Sequence, residues 1–101
     1  MKNLLDHINK IFESRIRLGL MSMLMVHDSM DFNSIKEALQ LSDGNLASHI
    51  SALEKAEYIT ITKEFVGKKT KTSYKATDNG KKAFRDHIDA LENLINSQPK
   101  K

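Results

Sequence analysis

The sequence predicts a mainly α fold carrying one small antiparallel β-hairpin, an α+β arrangement on a chain of 101 residues. Three observations lead there. Apolar residues recur at helical spacing from Leu4 to His27 and again from Phe84 to Ile95. Two short segments with cap-forming residues at their starts, Ser34 to Gln40 and Asp43 to about Ala56, lie close together between those ends. After Glu57 the pattern changes, and Tyr58-Ile59-Thr60-Ile61-Thr62-Lys63 alternates with period two and is rich in β-branched residues.

Taken in order, Leu5, Ile8 and Phe12 form one apolar stripe and Ile16, Leu20, Met23 and Leu24 another, with Ser14 placed to cap a fresh start between them. The sequence therefore predicts a short leading helix and a longer one from about Arg15 to Val26, ended by the polar turn His27-Asp28-Ser29. Asp31-Phe32 supplies a brief extended bridge, and Asn33 is the expected N-cap of a helix over Ser34 to Gln40 that buries Ile35 and Leu39. Leu41-Ser42-Asp43 makes a tight connection, and Ser42 caps the next helix. Two short helices so joined form a helix-turn-helix pattern. Thr72-Ser73-Tyr74-Lys75-Ala76-Thr77 is the second strand, paired antiparallel with the first through the turn Gly67-Lys68-Lys69-Thr70-Lys71. Thr77 caps a last helix reaching about Asn96, on which Phe84, Ile88, Leu91 and Ile95 form one continuous stripe. Residues 1–96 are expected to form one domain and 97–101, with Pro99 and the terminal lysines, a frayed tail.

Composition narrows the function classes. Hydrophobic residues at 40% and charged residues at 29% lie near ordinary globular values. The apolar run Leu18 to Val26 is far shorter than the roughly 20 residues that span a bilayer, and no cleavable signal precedes it, so no membrane contact and a cytoplasmic address are expected. The absence of cysteine excludes disulfides, thiolate zinc sites and a cysteine nucleophile together. His7, His27, His49 and His87 are scattered without a carboxylate partner at metal-ligand spacing and read as surface residues. Gly44, Gly67 and Gly80 stand alone rather than in a phosphate-cradling pattern. No catalysis, metal or cofactor is expected. Met21, Met23, Met25 and Met30 suit flexible core filling better than a ligand pocket. The net charge is only +3, but the segment from Lys63 to Lys75 holds five lysines against Glu64 alone, a local +4.

Six short motifs occur in a particular order. They are Ser14-Arg15-Ile16-Arg17-Leu18, Asp31-Phe32-Asn33-Ser34-Ile35-Lys36, Ser42-Asp43-Gly44-Asn45-Leu46-Ala47-Ser48-His49-Ile50, Leu53-Glu54-Lys55-Ala56-Glu57-Tyr58-Ile59, Phe65-Val66-Gly67-Lys68-Lys69 and Thr77-Asp78-Asn79-Gly80-Lys81. Over roughly Leu5 to Leu94 the chain resembles the small single-domain winged-helix transcriptional regulators related to the MarR and ArsR families. The resemblance implies a winged helix-turn-helix fold, dimerised through terminal helices, that binds double-stranded DNA. Such proteins usually place glycine where this chain has Glu57. A left-handed conformation there costs a non-glycine residue about 1 kcal/mol.

On this resemblance the helix opened by Ser42 is the reader. Leu46, Ile50 and Leu53 form its buried stripe, while Asp43, Gly44, Asn45, Ser48, His49 and Ala52 lie toward DNA. Asn, Ser and His hydrogen-bond to base edges, Ala touches a thymine methyl, and Gly44 lets the backbone approach closely. Asp43 gains from the helix dipole and is suited to hold a neighbouring basic group. Lys68, Lys69 and Lys71 on the wing can reach phosphates or the minor groove. Arg15, Arg17, Ser34 and Lys36 are candidates for DNA backbone contacts, Ser34 through a helix N-terminus. Leu5, Ile8, Phe12, Ile88, Leu91 and Ile95 are the candidate surface for a homodimer, although the domain's own core must claim part of that stripe, with Phe84 a first candidate. A small-molecule effector would bind within the domain or at the dimer interface. The competing reading is a winged helix used for protein–protein contact without specific DNA binding.

Overall fold

The structure, a computed structural model, describes residues 3–98. Helix α1 (Arg15–Val26) starts where cap chemistry places it, with the Ser14 hydroxyl accepting the Arg17 N–H at 3.3 Å. The expected leading helix does not form. Leu4 to His7 run through turns, and only Lys10–Glu13 winds into a single 3₁₀ turn. Asn9 is the interruption: its backbone is extended, and its side chain accepts the Ile11 N–H at 2.9 Å to cap that turn. Such local bonds give the backbone an alternative to the helix ladder.

Strand β1 is the short Met30–Asp31, and α2 (Phe32–Leu39) follows without a gap. Its N-cap is Asp31 rather than Asn33, because the Asp31 carboxylate accepts the Ser34 N–H at 2.7 Å. An ionised oxygen makes the stronger cap and also opposes the positive end of the helix. Helix α3 (Asp43–Lys55) is capped by Ser42 as expected, its hydroxyl accepting the Asn45 N–H at 3.2 Å.

Both helices of the pair end in the same way. Gln40 and Glu57 adopt left-handed φ values of 53° and 64°. Leu41 N–H donates to the Lys36 carbonyl at 3.1 Å, and Tyr58 N–H to the Leu53 carbonyl at 3.0 Å, so each chain reversal satisfies carbonyls the helix would otherwise leave open. Glu57 thus keeps the glycine-like geometry, and the Thr77 hydroxyl donates to its carbonyl at 2.7 Å.

Strands β2 (Ile59–Val66) and β3 (Lys69–Ala76) form an antiparallel ribbon with Ile59 opposite Ala76 and Val66 opposite Lys69. With β1 against β3, the sheet order is β1-β3-β2. The ribbon is longer than the alternation suggested, since pairing continues through Phe65–Thr70 to a turn of only Gly67 and Lys68. Gly67 takes φ 65°, which permits so tight a reversal. Helix α4 (Asp78–Asn96) is capped by Thr77, whose hydroxyl accepts the Gly80 N–H at 2.9 Å. A Cβ on Gly80 would lie 2.1 Å from the Tyr58 carbonyl oxygen, so α4 packs directly on the corner between α3 and β2. Of the expected tail, Pro99 to Lys101 lie outside the described residues.

The core gathers Leu20, Met21 and Leu24 of α1, Ile35 of α2, the three-residue stripe of α3, and Ile59, Tyr74 and Ala76 of the sheet. Phe12 also belongs to it. At 2% exposure it stacks on Tyr58 and meets Phe84 edge-on, with ring centroids at 5.4 and 5.5 Å, so it is spent inside the protomer and is withdrawn from the dimer surface. Phe84 is half-buried against the same cluster. Met21 is fully buried, Met23 and Met30 pack on the core, and Met25 borders an open groove beside Phe84 and Ile88.

Candidate nucleic-acid interface

Helix α3 is amphipathic in the sense its sequence suggests. Leu46 and Leu53 are fully buried and Ile50 nearly so, while Asp43, Gly44, Asn45 and Ser48 are exposed and His49 and Ala52 half-buried. Nothing lies within 4 Å of where a Cβ on Gly44 would stand, so packing within the protomer does not require the glycine.

Two expected backbone contacts have partners inside the protein. The Lys36 ammonium lies 2.6 Å from the Asp43 carboxylate, which ties α2 to the first turn of α3 and supplies the basic neighbour expected for Asp43. Arg17 is half-buried rather than free: its Nε donates to the Ile11 carbonyl at 2.7 Å, and its Nη1 sits 3.1 Å from His49 Nδ1. Burial, and then the Arg17 charge, hold the His49 pKa below its ordinary value. Ser34 is exposed but sits in the third position of α2 rather than the first, and the phosphate-accepting end there already holds the Asp31 carboxylate. Hydrogen bonds from the Ser34 backbone and hydroxyl lower the Asp31 pKa, with a smaller pull from Lys71. Arg15 is exposed at the first turn of α1.

The wing is exposed from Thr62 to Lys71. Lys68 stands in the turn, whereas Lys69 and Lys71 lie in β3, opposite Val66 and Glu64, instead of in a loop. Strand alternation therefore puts those two lysines on one face, and Phe65, 83% exposed, on the other with Thr70.

Of the remaining dimer candidates, Leu5, Ile88 and Ile95 are exposed, and Ile8 and Leu91 half-buried. An open groove between the N-terminal turns and α4 is lined by Asn3, Leu4, His7, Asn93 and Leu94. His87 is not a surface residue: it is 3% exposed, packs against Phe12, and its Nδ1 accepts the Asn9 N–H at 3.1 Å. The Asn9 amide donates to the Tyr58 hydroxyl at 2.9 Å. Neither this junction nor the Arg17–His49 contact was legible in the chain, because each joins residues far apart in sequence. No helix among the described residues is long and apolar enough to cross a membrane.

A helix-turn-helix with a small polar outer face, followed by a lysine-rich β-ribbon and a long helix, defines the winged-helix class. A family model described as a winged helix DNA-binding domain matches residues 16–95, and the chain belongs to that family. An uncharacterized protein of Methanocaldococcus jannaschii is 35% identical over 79 residues, 78% of this chain and 86% of that one. Among solved structures, a transcriptional regulator homologue from Pyrococcus horikoshii superposes with a TM-score of 0.81 at 26% identity, over 93% of this chain and 91% of the other. A MarR family transcriptional regulator from Streptomyces coelicolor, solved in complex with DNA, shares the fold at a TM-score of 0.68 and 17% identity, over 96% of this chain and 67% of its own. The chain is thus a DNA-binding winged-helix domain with the fold of transcriptional regulators.

Proposed function

We propose that the protein is a sequence-specific regulator of transcription that binds a pseudo-palindromic operator as a homodimer. The observation that carries the reading is α3: a firmly buried stripe of Leu46, Ile50 and Leu53 backs an outer face of Gly44, Asn45, Ser48, His49 and Ala52. Side chains of that size and polarity suit the major groove, where base edges are read. In this reading Asn45, Ser48 and His49 set sequence choice, while Lys68, Lys69 and Lys71 set affinity through phosphates. Arg15 is the remaining free candidate for a backbone contact. Exposed Ile88 and Ile95, with half-buried Leu91 on the same stripe of α4 and Leu5 and Ile8 from the N-terminal turns, would supply the surface through which two copies present paired half-sites.

Titration against random duplex DNA at several salt concentrations tests the first half. Binding should weaken steeply with salt, and the double substitution Lys68→Ala, Lys69→Ala should lower the salt slope by about 2 and weaken all sequences alike. No binding at low salt would refute the reading and leave a protein-contact module. Sedimentation of the wild type beside Ile88→Asp tests the second half, with a dimer expected for the former and a monomer for the latter.

A further inference from the structure

We propose that Arg17 locks His49 into the tautomer that carries its proton on Nε2, making His49 a donor-only reader that selects a hydrogen-bond acceptor on the base edge it faces. The proposal rests on the reading of α3 as the DNA-contacting helix.

Arg17 carries a guanidinium, which has only donors and keeps its charge at any pH a protein tolerates. Its Nη1 lies 3.1 Å from His49 Nδ1, so that nitrogen must present its lone pair, since a proton there would oppose donor to donor. The ring proton is left to Nε2. The guanidinium is held in place by its Nε, which donates to the Ile11 carbonyl at 2.7 Å. Burial and the neighbouring positive charge also oppose the imidazolium, which is the other form with a proton on Nδ1.

The free end of the ring is Nε2. It has no hydrogen-bond partner among the described residues, and no unpartnered side-chain nitrogen or oxygen among them is buried, so Nε2 is open to an incoming group. A neutral histidine in solution can offer either a donor or an acceptor at that nitrogen. Here only the donor remains, polarised by the guanidinium behind it. In the major groove acceptors are presented by guanine N7 and O6, adenine N7 and thymine O4, whereas cytosine offers its amino donor. His49 should therefore favour guanine, which places two acceptors together, and reject cytosine at its position. Arg17 in this account is a positioning residue that need not touch DNA.

The test has two arms. Long-range proton–nitrogen NMR of the free, full-length protein at neutral pH should show His49 as the Nε2–H tautomer; a proton on Nδ1 would overturn the proposal whatever the protein binds. Arg17→Ala should return the ring to a mixture of tautomers, and Arg17→Lys should restore the lock in part. Selection from a random DNA pool should show one position per half-site with about fivefold or greater preference for guanine over cytosine, lost in His49→Ala and moved to adenine in His49→Gln, whose amide pairs with both adenine N6 and N7. Equal weakening on every sequence in the histidine variants would mean that the acceptor is a phosphate oxygen, which overturns base selection. If Arg17→Ala fails to fold, the wild-type tautomer and the two His49 variants still decide the matter. A wild type that binds no DNA defeats the reading of α3 itself, and the free-protein spectrum separates that failure from a wrong tautomer.

Discussion

Helix α3 is held from several sides, by the core beneath it, by the Lys36–Asp43 bridge at its start and by the Glu57 reversal and Thr77 at its end. The wing is held by little besides its own two strands, and from Thr62 to Lys71 it buries no side chain. On the proposed reading the two regions do different work. A braced helix keeps side chains at fixed positions relative to base edges, as hydrogen-bond readout demands, whereas a solvated ribbon of lysines needs only to reach a phosphate.

The sharpest way to break that contrast is to hollow out its rigid side. Leu46→Ala should lower the unfolding free energy by about 2–5 kcal/mol, while Phe65→Ser on the wing should stay within about 0.5 kcal/mol. Urea unfolding measures both, and comparable losses would show that the wing is braced after all. Next in size is Gly80→Ala, which drives a methyl group into the Tyr58 carbonyl and should cost about 1–3 kcal/mol.

Acid should loosen the braced region as well. Burial depresses the pKa of His87, offset in part by Glu13, and depresses that of His49, so the unfolded chain takes up protons near the ordinary value of 6.5 while the folded chain does not. Stability is full above that value and is lost as pH falls through the interval below it. The urea midpoint should drop between about pH 7.5 and about pH 5.5, and less so in His87→Asn; an unchanged wild-type midpoint would contradict the sign. One substitution in the braced region should bring a gain. Glu57→Gly relieves a left-handed backbone and should stabilise by about 1 kcal/mol or less, read as a small rise in midpoint.

Where local chemistry decides, the chain was readable. The caps Ser14, Ser42 and Thr77, the limits of α1 and the buried stripe of α3 all follow from the nearest few residues. The expected cap Asn33 was wrong: Asp31 caps α2 instead, because its ionised oxygen also opposes the positive end of the helix. The lost leading helix had apolar residues at the right period, but Phe12 finds Tyr58 and Phe84 across the fold, contacts that no periodicity reveals. The outer face of α3 was legible as the side opposite its buried stripe. Which of its members were already engaged was not, since Arg17 and His49 stand 32 residues apart.

The short run from Asn9 to Ile11 behaves as a strut. At one end the Asn9 N–H is fixed to His87 on α4, and at the other the Ile11 carbonyl is fixed to Arg17, which in turn meets His49 on α3. The Asn9 side chain stiffens the span by bonding across it to the Ile11 N–H. Tilting α4 relative to the rest must therefore stretch one of these bonds or drag the histidine with it. On the proposed reading of α3, the alignment of the His49 ring is thereby tied to the long helix α4.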